Sequence, residues 1–291
     1  MAEAMLHIGG HSLHLCGGDT VGLAMSIPGM KEFEVESGKW KVKSDMEVRL
    51  DCSLLRPSTS NLRILHEFDI LDGQQVCRFG VDAENSYWYT FGNHGLLRYR
   101  EGEGVDINLD GNLDALRFAL WTAYSMMGLP LNAVPVHSSV VVCNGQAVMC
   151  LGESGTGKST HTRLWLENIE GTHLLNDDSP IVSLAGSEVR VYGSPWSGKT
   201  DCYLQESYPI AGLLRLEQKK ENTIRRLGVV ESFAALQPSC PPSLAKDEHC
   251  LDLLVSFISK VIERVPVYRM GCLPNADAAR LSHKTILCMN V

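Results

Sequence analysis

One short stretch, Gly152-Glu153-Ser154-Gly155-Thr156-Gly157-Lys158-Ser159-Thr160, limits what this chain can fold into more than any other feature. It satisfies G-x-x-x-x-G-K-[ST], and its flanks read as a strand before it and a helix after it, the context the motif requires. Glycines permit positive φ and a close backbone approach, so successive amide N–H groups can surround an anion while the following helix points its positive end at the same spot. Lys158 would then contact the β and γ phosphates of a nucleotide, and the Ser159 hydroxyl would bind Mg²⁺. The expected nucleotide contacts are Gly152, Ser154, Gly155, Thr156, Gly157, Lys158, Ser159 and Thr160, although the side chains of Glu153 and Thr156 are not required by the chemistry.

Nucleotide chemistry also needs an acidic group to hold the metal. Downstream of the loop, the apolar pair Leu174-Leu175 leads into Asn176-Asp177-Asp178. One carboxylate can hold Mg²⁺ while the other accepts the proton of an attacking hydroxyl or orients a water; the sequence leaves open which does which. The same Asn-Asp-Asp-Ser run also fits a simple turn.

A chain of 291 residues fits one large domain or two unequal ones. Residues 1–110 read as a mainly β region, with short strands at 5–8, 12–16, 32–36, 40–43, 47–51, 75–81, 86–91, 96–100 and 105–109 separated by turn signals such as Gly9-Gly10 and Asn93-His94-Gly95. The second domain, 111–291, opens with a helical period of apolar residues over 113–127, stopped by Gly128 and Pro130. Val140-Val141-Val142 and 147–151 form a hairpin around Asn144-Gly145, and a helix follows from Lys158 to about 169. Further strands are expected at 173–176, 181–184, 188–192, 210–216 and 267–271, with a helix over about 244–264. Alternating strands and helices make this half α/β with a mixed sheet.

Composition narrows the function classes. Hydrophobic residues at 44% and charged residues at 21% suit a chain with a substantial core. A net charge of −8 and no basic run argue against nucleic acid as the main partner. The longest apolar stretch, 133–151, is interrupted by His137, Ser138, Ser139, Asn144, Gly145 and Gln146, so no membrane span is expected. Met1 to Met5 lacks the features of a secretion signal, which points to the cytoplasm. Ten scattered cysteines without a C-x-x-C pair read as free or buried thiols.

Taken together, Val136-His137-Ser138-Ser139-Val140, the glycine loop and the Asp177-Asp178 strand end resemble HPr kinase/phosphorylase and its kinase-like relatives. The loop and paired aspartates are also similar to ATP-dependent phosphoenolpyruvate carboxykinase. The resemblance covers about 136–200. It implies a P-loop kinase core that uses ATP and Mg²⁺, with Ser159, Asp177 and Asp178 around the metal, Lys158 on the phosphates and His137 near the transferred group. HPr kinases are hexameric, so the resemblance also raises a homo-oligomer. In place of the family's downstream Leu-Glu-x-Arg-Gly signature the chain has Val189 to Lys199, with no Glu at the expected offset, which speaks against HPr itself as the substrate.

Gly193-Ser194-Pro195-Trp196-Ser197-Gly198-Lys199 has the composition of a shaped loop near a ligand, with Trp196 available for stacking and Lys199 for charge neutralisation. His161, Arg163, Arg225 and Arg226 are further candidates, the arginines as a γ-phosphate clamp. The expected function is an ATP- and Mg²⁺-dependent kinase that phosphorylates a hydroxyl on a protein serine or a small molecule. Two alternatives are a nucleotide-binding regulatory or scaffold protein with little transfer activity, and an ATPase.

Overall fold

The computed structural model describes residues 2–36, 44–53, 55, 62–70, 75–198 and 200–288. The chain divides into two compact units, Met1–Leu131 with Ser243–Leu251, and Asn132–Pro242 with Asp252–Val291. The fold is mixed α/β, and the sheet of each unit combines parallel and antiparallel pairing.

In the first unit the order is β1 (Ala2–Ile8), β2 (His11–Gly17), α1 (Thr20–Ser26), β3 (Met46–Arg49), β4 (Arg63–Ile70), β5 (Gln75–Val81), β6 (Tyr87–Phe91), β7 (Gly95–Arg100), β8 (Gly104–Leu109) and α2 (Leu113–Gly128). Among the described residues these strands make one sheet in the order β1-β2-β3-β8-β7-β6-β5-β4. Tyr89, Phe79 and Phe91 are buried on it in stacked array, with Phe79 and Tyr89 ring centroids 4.5 Å apart. Helix α2 starts where the Asn112 side chain accepts from the Ala115 amide at 2.9 Å, and it lays Leu116, Ala119, Leu120 and Ala123 against this unit. The boundary expected at 110/111 therefore falls ahead of a helix that packs with β3, β7 and β8. Apolar periodicity identifies a helix but not the sheet that it covers.

One expectation for this region changes. The strand expected at 32–36 is a single 3₁₀ turn, Lys31–Phe33, followed by one bridge from Glu34 to Leu6. The strand expected at 40–43 lies outside the described residues. Helix α1 and strand β4 were not expected; Thr20–Ser26 is only seven residues long, and a register shift interrupts β4 between Ile64 and His66.

The second unit contains β9 (Ala133–Pro135), β10 (Ser138–Cys143), β11 (Gln146–Leu151), α3 (Lys158–Asn168), β12 (Thr172–Asp178), β13 (Ile181–Ala185), β14 (Glu188–Tyr192), β15 (Ser207–Gln218), β16 (Thr223–Arg226), α4 (Val229–Leu236), α5 (Glu248–Arg264, shared with the first unit), β17 (Val267–Cys272) and α6 (Ala276–His283). Its strands run β12-β10-β11-β15-β14-β13-β9, with β17 joining β15 to β16. The expected β10–β11 hairpin is present, and its turn residues Asn144 and Gly145 have φ of 50° and 75°. Strand β11 is buried on both faces, as suits the centre of a covered sheet. Val148 and Cys150 face a core shared with Trp165 of α3, Leu214 and Leu216 of β15, Met270 of β17 and Ala278 and Ala279 of α6. Strand β16 and helices α4 and α6 were not foreseen, since they are only 4, 8 and 8 residues long.

Within that core His161 is 2% exposed, with Nε2 3.0 Å from the Ser282 hydroxyl and 3.3 Å from the Trp165 indole nitrogen. Its Nδ1 has no hydrogen-bond partner among the described residues. Burial pushes its pKa from 6.5 down to about 4, because a charged imidazolium would lose its hydration. The unfolded chain therefore binds a proton here that the folded chain does not, and this contribution is complete above the unfolded value and lost as pH falls from 6.5 toward 4. Denaturant unfolding of wild type should lose on the order of 2–3 kcal/mol between pH 7 and pH 4.5 that His161→Gln does not lose. Equal pH dependence in the two proteins would show that His161 is not buried neutral.

Candidate functional site

Antiparallel pairing creates the site. Strand β10 pairs with β11 on one side and β12 on the other, with Ser138 opposite Leu151 and Asp178, and Ser139 opposite Asp177. Three chain positions far apart in sequence thus reach one end of the sheet: His137 just before β10, Gly152 just after β11, and the two aspartates that finish β12.

The loop leaves β11 with φ of 156° at Gly152, 77° at Gly155 and 107° at Gly157. Gly157 is the residue that precedes α3, and its left-handed φ is one that a side-chain-bearing residue adopts only at a cost. No side chain caps the helix there, so the first amides of α3 point into the loop, a ready anion site. Lys158 Nζ donates to the carbonyls of Gly152 at 2.9 Å and Glu153 at 3.2 Å and lies 2.9 Å from His137 Nε2. The ammonium has only donors, so Nε2 accepts and Nδ1 carries the proton. Nδ1 stands 3.1 Å from Asp178 Oδ1, which makes a continuous chain Lys158–His137–Asp178.

Asp177 is engaged differently. Its Oδ1 accepts from the Ser159 hydroxyl at 3.0 Å and its Oδ2 from the Thr200 hydroxyl at 3.1 Å, and the residue is 7% exposed. The Asp178 side chain is 37% exposed. Asn176 takes the turn-forming part of the Asn-Asp-Asp-Ser run, with its side chain accepting from the Ser179 amide and donating to Ser194. The aspartates are thereby left for the loop. A cavity of about 350 Å³ opens beside the Ser159–Asp177 contact and is lined by Thr160, Arg163, Leu174 and Thr200.

Charge converges on Lys158. Burial pushes its ammonium below the ordinary lysine range, Asp178 and Asp177 pull it back up, and Arg215 adds to the lowering. A hydroxyl and a carboxylate at 3.0 Å are hard oxygen donors of the kind Mg²⁺ takes from a protein while keeping waters and phosphate oxygens as its other ligands. Ser159 and Asp177 fit that ion; Asp178, expected near the metal as well, is directed to His137 instead.

Other sequence candidates fall elsewhere. His161 is turned into the core. Trp196 is 2% exposed and offers no face for stacking. Arg225 is in a forked pair with Glu231, 2.9 and 2.6 Å, and it sits with Arg226 on β16, separated from β11 by β17 and β15. Arg163 is exposed and lines the cavity. Lys199 lies outside the described residues. Sequence reasoning missed Thr200, Arg215 and Gln218; the 193–199 segment pointed to the right neighbourhood, but through its aromatic and cation rather than the hydroxyl beyond them.

That segment has a definite role. Ser197 bridges Asp178, and the Gly198 amide donates to the Asp177 carbonyl at 2.8 Å. The segment backs the end of β12 like a short extra strand.

No protein-family model matches the chain, and none of the curated proteins does. Among solved structures it is similar to the Hpr(Ser) kinase/phosphatase from Coxiella burnetii, with 11% identity, 54% of this chain and 95% of that chain covered, and a TM-score of 0.32. The likeness is a distant one of fold, and no functional statement rests on it.

A Cβ at Gly198 would lie 2.7 Å from the Asp177 carbonyl oxygen and 3.2 Å from Asp178 Cβ. Gly198→Ala should therefore displace both carboxylates, and binding of a Mg²⁺-nucleotide, if this loop takes one, should weaken by about tenfold or more with little change in far-UV circular dichroism. Unchanged binding in that variant would show that the segment does not set the carboxylate positions.

Proposed function

We propose that the protein binds ATP with Mg²⁺ at the Gly152–Thr160 loop and transfers the γ-phosphoryl group to a hydroxyl, on a protein serine or a small molecule. The observation that carries this reading is the 3.0 Å contact between Ser159 of the loop and Asp177 of β12, which joins a phosphate-type loop to a buried carboxylate. A kinase needs those two parts together, and here they hydrogen-bond directly.

The amides at the start of α3 surround phosphate oxygens, and Lys158 exchanges its two carbonyls and His137 for the β and γ phosphates. Ser159 and Asp177 would hold Mg²⁺, whose charge offsets that of the phosphate oxygens. Thr200 keeps Asp177 aimed by occupying its second oxygen. Asp178, more exposed and linked to His137, accepts the proton of the incoming hydroxyl; the imidazole Nδ1–H steadies the carboxylate in that position. Asp177 thus serves the metal and Asp178 the proton. Transfer rests on positioning and charge neutralisation, with no covalent enzyme intermediate.

Binding of Mg²⁺·ATP followed by calorimetry should vanish in Lys158→Ala. Asp178→Asn should keep ATP affinity within about twofold and lower transfer by about 10²–10⁴, measured as labelled product across a panel of peptides and metabolites. Asp177→Asn should instead weaken the dependence of binding on Mg²⁺. Inorganic phosphate released without any acceptor would make the protein an ATPase, and binding with no turnover would leave a nucleotide-responsive scaffold.

A further inference from the structure

We propose that Arg215 is a second phosphate-binding cation of this site, one that exchanges the Glu153 carboxylate for the γ-phosphate of a bound nucleotide. The proposal deepens the function above and rests on the loop being a nucleotide site.

Strand β15 runs parallel to β11, and the register sets Arg215 opposite Leu151, the residue before Gly152. The guanidinium therefore stands beside the mouth of the loop. One of its nitrogens donates to Glu153 Oε1 at 2.6 Å. The partners are unequal: the Arg215 side chain is 17% exposed and Glu153 is 74% exposed. The cation is built into the sheet, whereas the carboxylate reaches it from the solvent side of the loop. An ion pair with so exposed a partner contributes little and is readily exchanged. A phosphate oxygen carries more charge than a carboxylate oxygen and accepts from the guanidinium fork in the same way.

Its surroundings favour an anionic ligand at this point. Lys158 lies on the same loop and donates to the carbonyl of Glu153 at 3.2 Å, so the residue that Arg215 holds by its carboxylate is held by Lys158 at its backbone. The site's carboxylates are otherwise engaged, Asp177 with Ser159 and Thr200, and Asp178 with His137. Glu153 alone faces Arg215 from the loop. A second β15 side chain, Gln218, donates to the Gly155 carbonyl at 3.1 Å, so this strand also supports the loop. The other sequence candidates for an arginine clamp, Arg225 and Arg226, lie two strands further out. An arginine supplied from the same chain stabilises charge on the transferred group in other phosphate-loop enzymes.

The test compares two fluorescent probes, mant-AMPPNP and mant-ADP, each with Mg²⁺, on the full chain. Arg215→Ala should weaken mant-AMPPNP by about tenfold or more while mant-ADP changes by less than about twofold; Arg215→Lys should recover part of the loss. Glu153→Gln should tighten mant-AMPPNP several-fold and leave mant-ADP unaffected. Arg215→Ala that weakens both probes equally, or neither, overturns the proposal. Should Arg215→Ala fail to fold, as read by its thermal melt, Glu153→Gln decides alone, and no gain for mant-AMPPNP overturns it. Lys158→Ala binding both probes like wild type would sink the nucleotide reading itself, a result separate from failure at Arg215.

Discussion

The site depends on β10 being paired antiparallel on both sides. A parallel neighbour would deliver its opposite end to the loop, whereas here the entry to β10, the exit of β11 and the end of β12 coincide. His137, Gly152, Asp177 and Asp178 therefore meet without any long connection. The hairpin turn at Asn144-Gly145 enforces the first pairing, and the packing of Trp165 and the α6 alanines fixes the helix that begins in the loop. Ser197 and Gly198 then lock the end of β12 from the other side.

Within this frame the charges are arranged as two connected sets. Ser159, Asp177 and Thr200 form one, all oxygen and compact, with the buried Asp177 at its centre. Lys158, His137 and Asp178 form the other, a chain that includes an imidazole and is able to pass or accept a proton. Because hydroxyls occupy both Asp177 oxygens and an imidazole occupies Asp178, the two adjacent aspartates have different environments despite their shared strand end. That asymmetry is the physical basis for giving them different work. Arg215 and Glu153 extend the arrangement on the β15 side of the loop.

Much of this was legible in the sequence where local chemistry determines geometry. Glycines with a lysine and a hydroxyl at fixed offsets specify a loop between strand and helix, and an Asn-Gly pair between apolar runs specifies a hairpin. Strands β5 to β8 emerged close to their observed limits because each is a short run bounded by turn signals. What escaped depends on tertiary neighbours. Nothing local says that Trp196 is enclosed, that His161 faces the core, or that Thr200 rather than Lys199 meets Asp177. The side of the boundary on which α2 belongs and the closeness of Arg215 to Glu153 follow from sheet order and register, which one sequence does not display. Short elements such as α1, β16 and α4 take their stability from packing rather than from propensity.

The most direct measurement is a crystal structure of the full chain grown with Mg²⁺ and a non-hydrolysable ATP analogue. The predicted result has the β and γ phosphates inside the Gly152–Thr160 loop, Lys158 moved from His137 onto them, and Ser159 and Asp177 at the metal. A nucleotide bound elsewhere, or phosphates in the loop with Asp177 turned away from the metal, would contradict it.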